Sequence, residues 1–212
     1  MPQVINPIEE ENIDFGSVIN ENTNLDGNTE GDIYYCIASG DGSYDSTEGC
    51  IVITTPTDDS VVNSQDIFSE DFKNKFTGIV FKVPAGKGTV KVEAQTTGNL
   101  ALGVKVGTND PVKKELEGKL KVSVPYDVSD PTYVYIYGGS STASAPNIAV
   151  SAENGELKLY GVEVHSGTDA IQNVNSSQLS ENHYYSLDGI ELQGKPTQKG
   201  LYIVNGKVMV VK

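Results

Sequence analysis

Oxygen-bearing side chains stand at alternate positions in Asp26-Gly27-Asn28-Thr29-Glu30-Gly31-Asp32-Ile33, with Gly at the sixth place and Ile at the eighth. That order follows the first part of a calcium loop. Asp26, Asn28, Glu30 and Asp32 are therefore the candidate metal ligands. The twelfth place holds Ile37 instead of a bidentate Glu, and the segment runs into strand-forming residues instead of a helix. An ordinary Asp-Gly turn is the competing reading, and no tightly held calcium or other cofactor is expected. A second constellation is aromatic. Tyr133, Tyr135 and Tyr137 recur with period two, which on a strand places three rings on one face. Such rings can stack on sugars while their hydroxyls hydrogen-bond, so these three are the candidate ligand-binding residues. Cross-strand packing competes with that role, and the chain has no Trp, the commonest sugar platform.

Cys36 and Cys50 are too few for a disulfide scaffold and lack the company of a zinc site. If Ile33 to Ala38 and Cys50 to Thr55 formed one hairpin around Tyr44, the two sulfurs would lie diagonal to each other, a marginal geometry for a bond. A disulfide and two buried thiols both remain open. Nucleophile, metalloprotease and phosphate-loop motifs are absent, and His165 and His183 have no Cys or Ser signature beside them. Paired carboxylates for glycoside hydrolysis could come from any of 29 acids. With no pair marked out, the chain is expected not to be an enzyme.

Those 29 acids face only 15 Lys plus Arg, a formal charge of -14. The resulting field repels phosphate backbones and anionic headgroups, which argues against nucleic acid and membrane surfaces as partners. No apolar run approaches the roughly 20 residues that cross a bilayer, so no membrane insertion is expected. The N-terminus lacks the basic start and apolar core of a leader, which reads as a piece of a longer precursor.

Period-two alternation dominates. Val90, Val92 and Ala94 alternate with Thr89, Lys91 and Glu93, and the device recurs through Leu102 to Val106, Leu120 to Val124, Val134 to Ile136, Ile148 to Val150 and Leu157 to Leu159. Turn chemistry separates the runs at Pro84 to Gly88, Thr97 to Asn99, Asn109 to Pro111, Ser129 to Pro131 and Glu153 to Gly155. The expected fold is all-β: an antiparallel, jelly-roll-like β-sandwich over 1–165, with Val90, Val92, Val104, Val122, Val134 and Ile136 buried. One or two short helices within Asp58 to Phe76 are expected to cap an open end of the core. A polar stretch at 166–182 reads as a linker, and 183–212 as a small β tail domain with Asn205-Gly206 as a hairpin turn.

That tail carries a resemblance. Tyr184-Tyr185-Ser186-Leu187-Asp188-Gly189, Lys195-Pro196, Lys199-Gly200-Leu201-Tyr202-Ile203-Val204-Asn205-Gly206-Lys207-Val208 and a final Lys212 resemble the C-terminal sorting-type domain of secreted Bacteroidetes proteins. The resemblance implies export by the type IX route and attachment at the cell surface, although Ile190-Glu191-Leu192 stands where family members commonly carry a basic residue. The body resembles modules that precede such tails in surface proteins, including leucine-rich-repeat proteins of the adhesin type. Phe76 to Val83, Pro131 to Tyr137 and Leu157 to Val164 carry that likeness, the last also resembling the closing strand of galactose-binding-like jelly rolls. The expectation is a monomeric, secreted or surface-displayed, non-catalytic module for adhesion or carbohydrate binding, with a glycan or a host surface protein as partner. The alternatives are a structural spacer that presents upstream repeats and, less favoured, a glycoside hydrolase.

Overall fold

The computed structural model describes residues 4–63, 66–141, 155–167, 184–186, 191–192, 199–204 and 207–211. The chain divides into two units, Met1–Thr168 and Asp169–Lys212.

In the first unit the chain runs through β1 (Glu10–Asp14), α1 (Phe15–Val18), β2 (Asp26–Glu30), β3 (Ile33–Cys36), β4 (Gly42–Asp45) and β5 (Cys50–Ile53). A 3₁₀ turn (Val61–Asn63) and α2 (Glu70–Lys73) follow, then β6 (Gly78–Val83), β7 (Gly86–Thr96), β8 (Leu100–Val106), β9 (Val112–Lys114), β10 (Leu120–Val128), β11 (Thr132–Ser140) and β12 (Leu157–Ser166). They form two antiparallel sheets. One has the order β2-β3-β6-β11-β8-β9; the other has β10-β7-β12-β5-β4, with β1 also paired to β12. This is the expected all-β sandwich. Its main core lies between the sheets because alternate residues of both point inward: Val90, Val92 and Ala94 from β7, Leu159, Val162 and Val164 from β12, Ile79 and Phe81 from β6, Val104 from β8, Val134 and Ile136 from β11. Val122 is only partly buried, because β10 is an edge strand with a neighbour on one side.

Two expectations are corrected. Ile33–Cys36 and Cys50–Ile53 do not pair. β3 lies between β2 and β6 in one sheet, while β5 pairs with β4, Tyr44 opposite Ile51, in the other. Local hairpins won on both sides, since a two-strand turn closes less chain than the longer loop would. The Asp58 to Phe76 segment does form short helical pieces, but it covers a face instead of capping an end. Val62, Ile67, Phe72 and Phe76 pack with Ile5 on the outer side of the first sheet, against Tyr34, Cys36, Val80, Tyr135 and Tyr137, and make a second core. Gly78 permits this. Its Cβ would come 2.1 Å from the Ile136 carbonyl oxygen and 3.0 Å from the Phe76 ring, so a side chain there would displace both the ring and the strand pairing.

The second unit is a four-stranded antiparallel sheet of order β14-β13-β15-β16, built from β13 (Tyr184–Ser186), β14 (Glu191–Leu192), β15 (Gly200–Val204) and β16 (Lys207–Val211). β14 was not anticipated. Val204 stands opposite Lys207, the register that a two-residue connection imposes; Asn205 and Gly206 themselves lie outside the described residues, as do Ile148 to Val150 and most of 166–182. Leu201 and Val210 face each other across β15 and β16 and are both exposed.

Candidate functional site

The two sheets differ on their outer sides. The second core covers the outer side of the first, which is therefore the clad sheet. The other carries polar side chains on its outer side and is the polar sheet. Strand alternation puts Lys91 and Glu93 of β7, Lys121 of β10, and Lys158 and Glu163 of β12 there, none of them in the core. They pair across strands. Glu163 takes Lys121 and, at 3.6 Å, Lys91; Lys119 reaches Glu93 at 3.6 Å; Lys158 holds Glu48 at 2.7 Å. A β-bulge between Leu159 and Gly161 leaves Tyr160 as the extra residue of β12, and bulges re-aim side chains in this way. Its hydroxyl donates to Glu48 at 2.9 Å, and its ring lies under the Lys119 ammonium at 4.0 Å. Burial first, and then that hydrogen bond, push the Tyr160 hydroxyl up to about 12. Hydrogen bonds from Lys158 and Tyr160 hold the Glu48 carboxyl below its usual range.

Size separates two depressions on this sheet. The notch at the bulge, between Asn12, Lys91, Glu93, Lys121 and Glu163, encloses about 40 Å³, room for about one water, whose share of liquid volume is about 30 Å³. The basin at the β4 edge encloses about 450 Å³, within the roughly 300–1,000 Å³ of small-molecule sites. It is an open basin lined by Ser43, Tyr44, Asp45, Ser46, Val52, Glu156 and Lys158. Tyr44 is half-buried, part of it packed on the main core. Asp45 fixes the turn after β4 by accepting from the Thr47 and Glu48 amides at 2.8 and 3.1 Å. Ser46 donates to Glu21 at 3.2 Å. Tyr44 stands opposite Ile51, so its side chain lies on the core-facing side, and the basin's outer lining of hydroxyls, carboxylates and an ammonium is a donor and acceptor set that a polyhydroxylated ligand can use.

The tyrosine stripe lies elsewhere. Tyr135 and Tyr137 are 1% and 0% exposed, so neither ring offers a face to a ligand; they belong to the second core, in tilted and edge-on contact with Phe72 and Phe76. Tyr137 donates to Asp59 at 2.9 Å, and burial raises its pKa first. Only Tyr133 is half-buried, with the Lys82 ammonium 4.8 Å over its ring. The pattern gave the shared face correctly; what covers that face came from the remote segment at 61–76.

The calcium-loop acids are dispersed. Gly27, with φ at +68°, is the bulge residue of β2, and the tight turn falls at Gly31-Asp32 instead of Asp26-Gly27. Asp26 pairs with Lys73 at 3.2 Å, Asn28 donates to Glu30 at 3.2 Å, and Asp32 accepts from the amide and side chain of Asn6 at 2.9 and 3.0 Å. Among the described residues no three His, Cys, Asp or Glu side chains converge as a metal site.

Cys36 and Cys50 are free and buried. Cys36 points into the second core, where its thiol donates toward the Phe76 carbonyl oxygen at 3.4 Å. Cys50 neighbours Ile51, which faces the main core, and so points to the outer side of the polar sheet. The sulfurs are on opposite outer sides of the sandwich, which rules out the marginal hairpin bond. Burial pushes the thiols up to about 12 and about 11 respectively, so both stay protonated and unreactive at neutral pH.

No family model matches the chain, and no curated protein matches it significantly. Among solved structures it is similar to BiXyn10A CBM1 in its apo form, at TM-score 0.41 and 14% identity over 76% of this chain and 100% of that one. It is similar to a mutant of CBM29-2, a family 29 carbohydrate binding module, at 0.37 and 9% over 75% and 88%. A family two carbohydrate esterase from Cellvibrio japonicus follows at 0.40 and 12%, over 75% of this chain and 34% of the esterase. The chain thus spans about a third of the esterase's length. At these scores no residue role or ligand is carried across. Among the described residues no helix is long and apolar enough to cross a membrane.

Proposed function

We propose that the first unit is a non-catalytic, glycan-binding sandwich of a secreted or surface-displayed protein, with the basin beside Tyr44 as its binding site. The observation that carries this reading is the asymmetry of the sheets. One outer side is sealed by a second core, and the other ends in a ligand-sized basin with polar lining from Ser43, Asp45, Ser46, Glu156 and Lys158 around Val52. Sugars present many hydroxyls, and hydroxyl, carboxylate and ammonium groups around one apolar side chain can meet them. The tail's sorting-type resemblance supports an extracellular setting. A spacer is the second reading, favoured by the mutual pairing of Lys91, Lys119, Lys121 and Lys158 with glutamates on the same sheet.

Affinity electrophoresis of the intact chain through gels containing soluble polysaccharides separates the two. Retardation by at least one neutral polysaccharide, relieved in Glu156→Ala, is the expected result. Unaltered migration in every gel supports the spacer.

A further inference from the structure

Strand register fixes the order of the basin's lining along the polar sheet. Ser43 of β4 stands opposite Val52 of β5, and Val52 stands opposite Lys158 of β12. Ile51, Ile53, Leu157 and Leu159 face the main core, so Ser43, Val52 and Lys158 form one row on the outer side. Asp45 lies two residues beyond Ser43, opposite Cys50. Glu156 lies on the other side of the row, since the next pairs in that direction are Gly42 with Ile53 and Ile53 with Leu157. The two acids therefore stand at opposite corners. Two strand spacings of about 4.8 Å and four residues of about 3.4 Å put about 17 Å between them.

Several polar groups along this strip are already engaged. The Asp41 carboxylate accepts from the Thr55 hydroxyl at 2.8 Å, and Ser46 donates to Glu21. Asp45 uses one oxygen for the amides of Thr47 and Glu48. Lys158 donates to Glu48 at 2.7 Å, which leaves two of its three N–H donors. Among the described residues no hydrogen bond or ion pair reaches the Ser43 hydroxyl, the second Asp45 oxygen or the Glu156 carboxylate, whose residue bonds to Thr97 through its backbone. Free groups thus occur at both corners and along the middle row.

We infer that the basin takes a run of consecutive sugar units from a neutral glycan chain instead of a single terminal sugar, an inference that rests on the glycan reading above. One hexose placed on Val52 meets the middle row and leaves both corner carboxylates unmet. A chain laid along the diagonal offers hydroxyl donors to Asp45 and Glu156, and hydrogen bonds to ionised acceptors are the strong ones. Its central units meet Val52, Ser43 and the remaining Lys158 donors. Each added unit gains contacts after the main loss of translational freedom has been met, so affinity climbs until the strip is covered.

Titration calorimetry of the intact chain tests this with oligosaccharides of one to six units cut from arabinoxylan, galactomannan and mixed-linkage β-glucan, with the three parent polysaccharides run in affinity gels. For at least one series the affinity is expected to rise at least tenfold from the monosaccharide to the tetrasaccharide and to level off by the hexasaccharide. Glu156→Ala removes one corner and keeps the backbone bonds to Thr97, so its series should level off at a shorter length and a lower affinity. A monosaccharide that binds as tightly as the hexasaccharide, a length dependence untouched by Glu156→Ala, or a retarding polysaccharide none of whose oligosaccharides bind would overturn the inference and leave the glycan reading standing. If no oligosaccharide binds and no parent polysaccharide retards the chain, both are overturned.

Discussion

Glu163 gathers Lys121, Lys91 and His165 on the outer side of the polar sheet, and the hydrogen bond from Lys121 is the main reason that its carboxyl lies below the ordinary 4.5. A carboxylate with a lowered folded pKa contributes stability that is complete above its unfolded value and is lost as the pH falls through the folded one. Glu163→Gln is therefore expected to cost on the order of 1 kcal/mol at neutral pH, the upper end for a partly exposed pair. The difference from the parent should close in acid below the ordinary carboxylate range. Urea unfolding at a series of pH values checks it, and a gap that persists in acid would show that packing, not charge, is lost. At this scale the sequence was a poor guide. Glu163 meets Lys121, and Glu48 meets Tyr160, only because β10, β7, β12, β5 and β4 lie in that order in one sheet, and the calcium-like spacing of Asp26 to Asp32 was scattered by a bulge and by Asn6 and Lys73.

Among the elements, the 61–76 segment has the largest effect on which surfaces remain for binding. Phe72 is 2% exposed, stacks on Phe76 with centroids 4.7 Å apart and reaches Tyr135 at 6.2 Å. Phe72→Ala is expected to cost about 3 kcal/mol, at the low end of the range for a buried ring because this core is thin and can partly collapse. Amide exchange should then rise across 66–77 and spare β7 and β12. Uniform loosening of both sheets would contradict a separate second core. The strands themselves were legible, because Val90, Val92 and Ala94 or Val134 and Ile136 need only a half-buried face to set their period. The pairing of β3 was not. Ile33 to Cys36 is buried on both sides, so its pattern does not say which neighbour it takes. The basin was missed for a related reason: Gly42-Ser43-Tyr44-Asp45-Ser46 reads as turn chemistry, and the only signal was its small hydroxyls and acids.

At the scale of the whole molecule, the charge of -14 sets what can approach the basin. Its own lining includes Asp45 and Glu156 beside a single Lys158, so a polyanionic glycan meets repulsion both near and far. Neutral saccharides are therefore the expected class. The sandwich supplies the scaffold, and the tail, if it acts as its resemblance implies, supplies the location. A glycan array probed with the intact chain, Glu156→Ala and Tyr133→Ala tests the central claim most directly. The account predicts that the intact chain retains at least one neutral saccharide class, that Glu156→Ala weakens retention at least tenfold, and that Tyr133→Ala does not. No retained saccharide, or a loss that follows Tyr133 instead of Glu156, would contradict it.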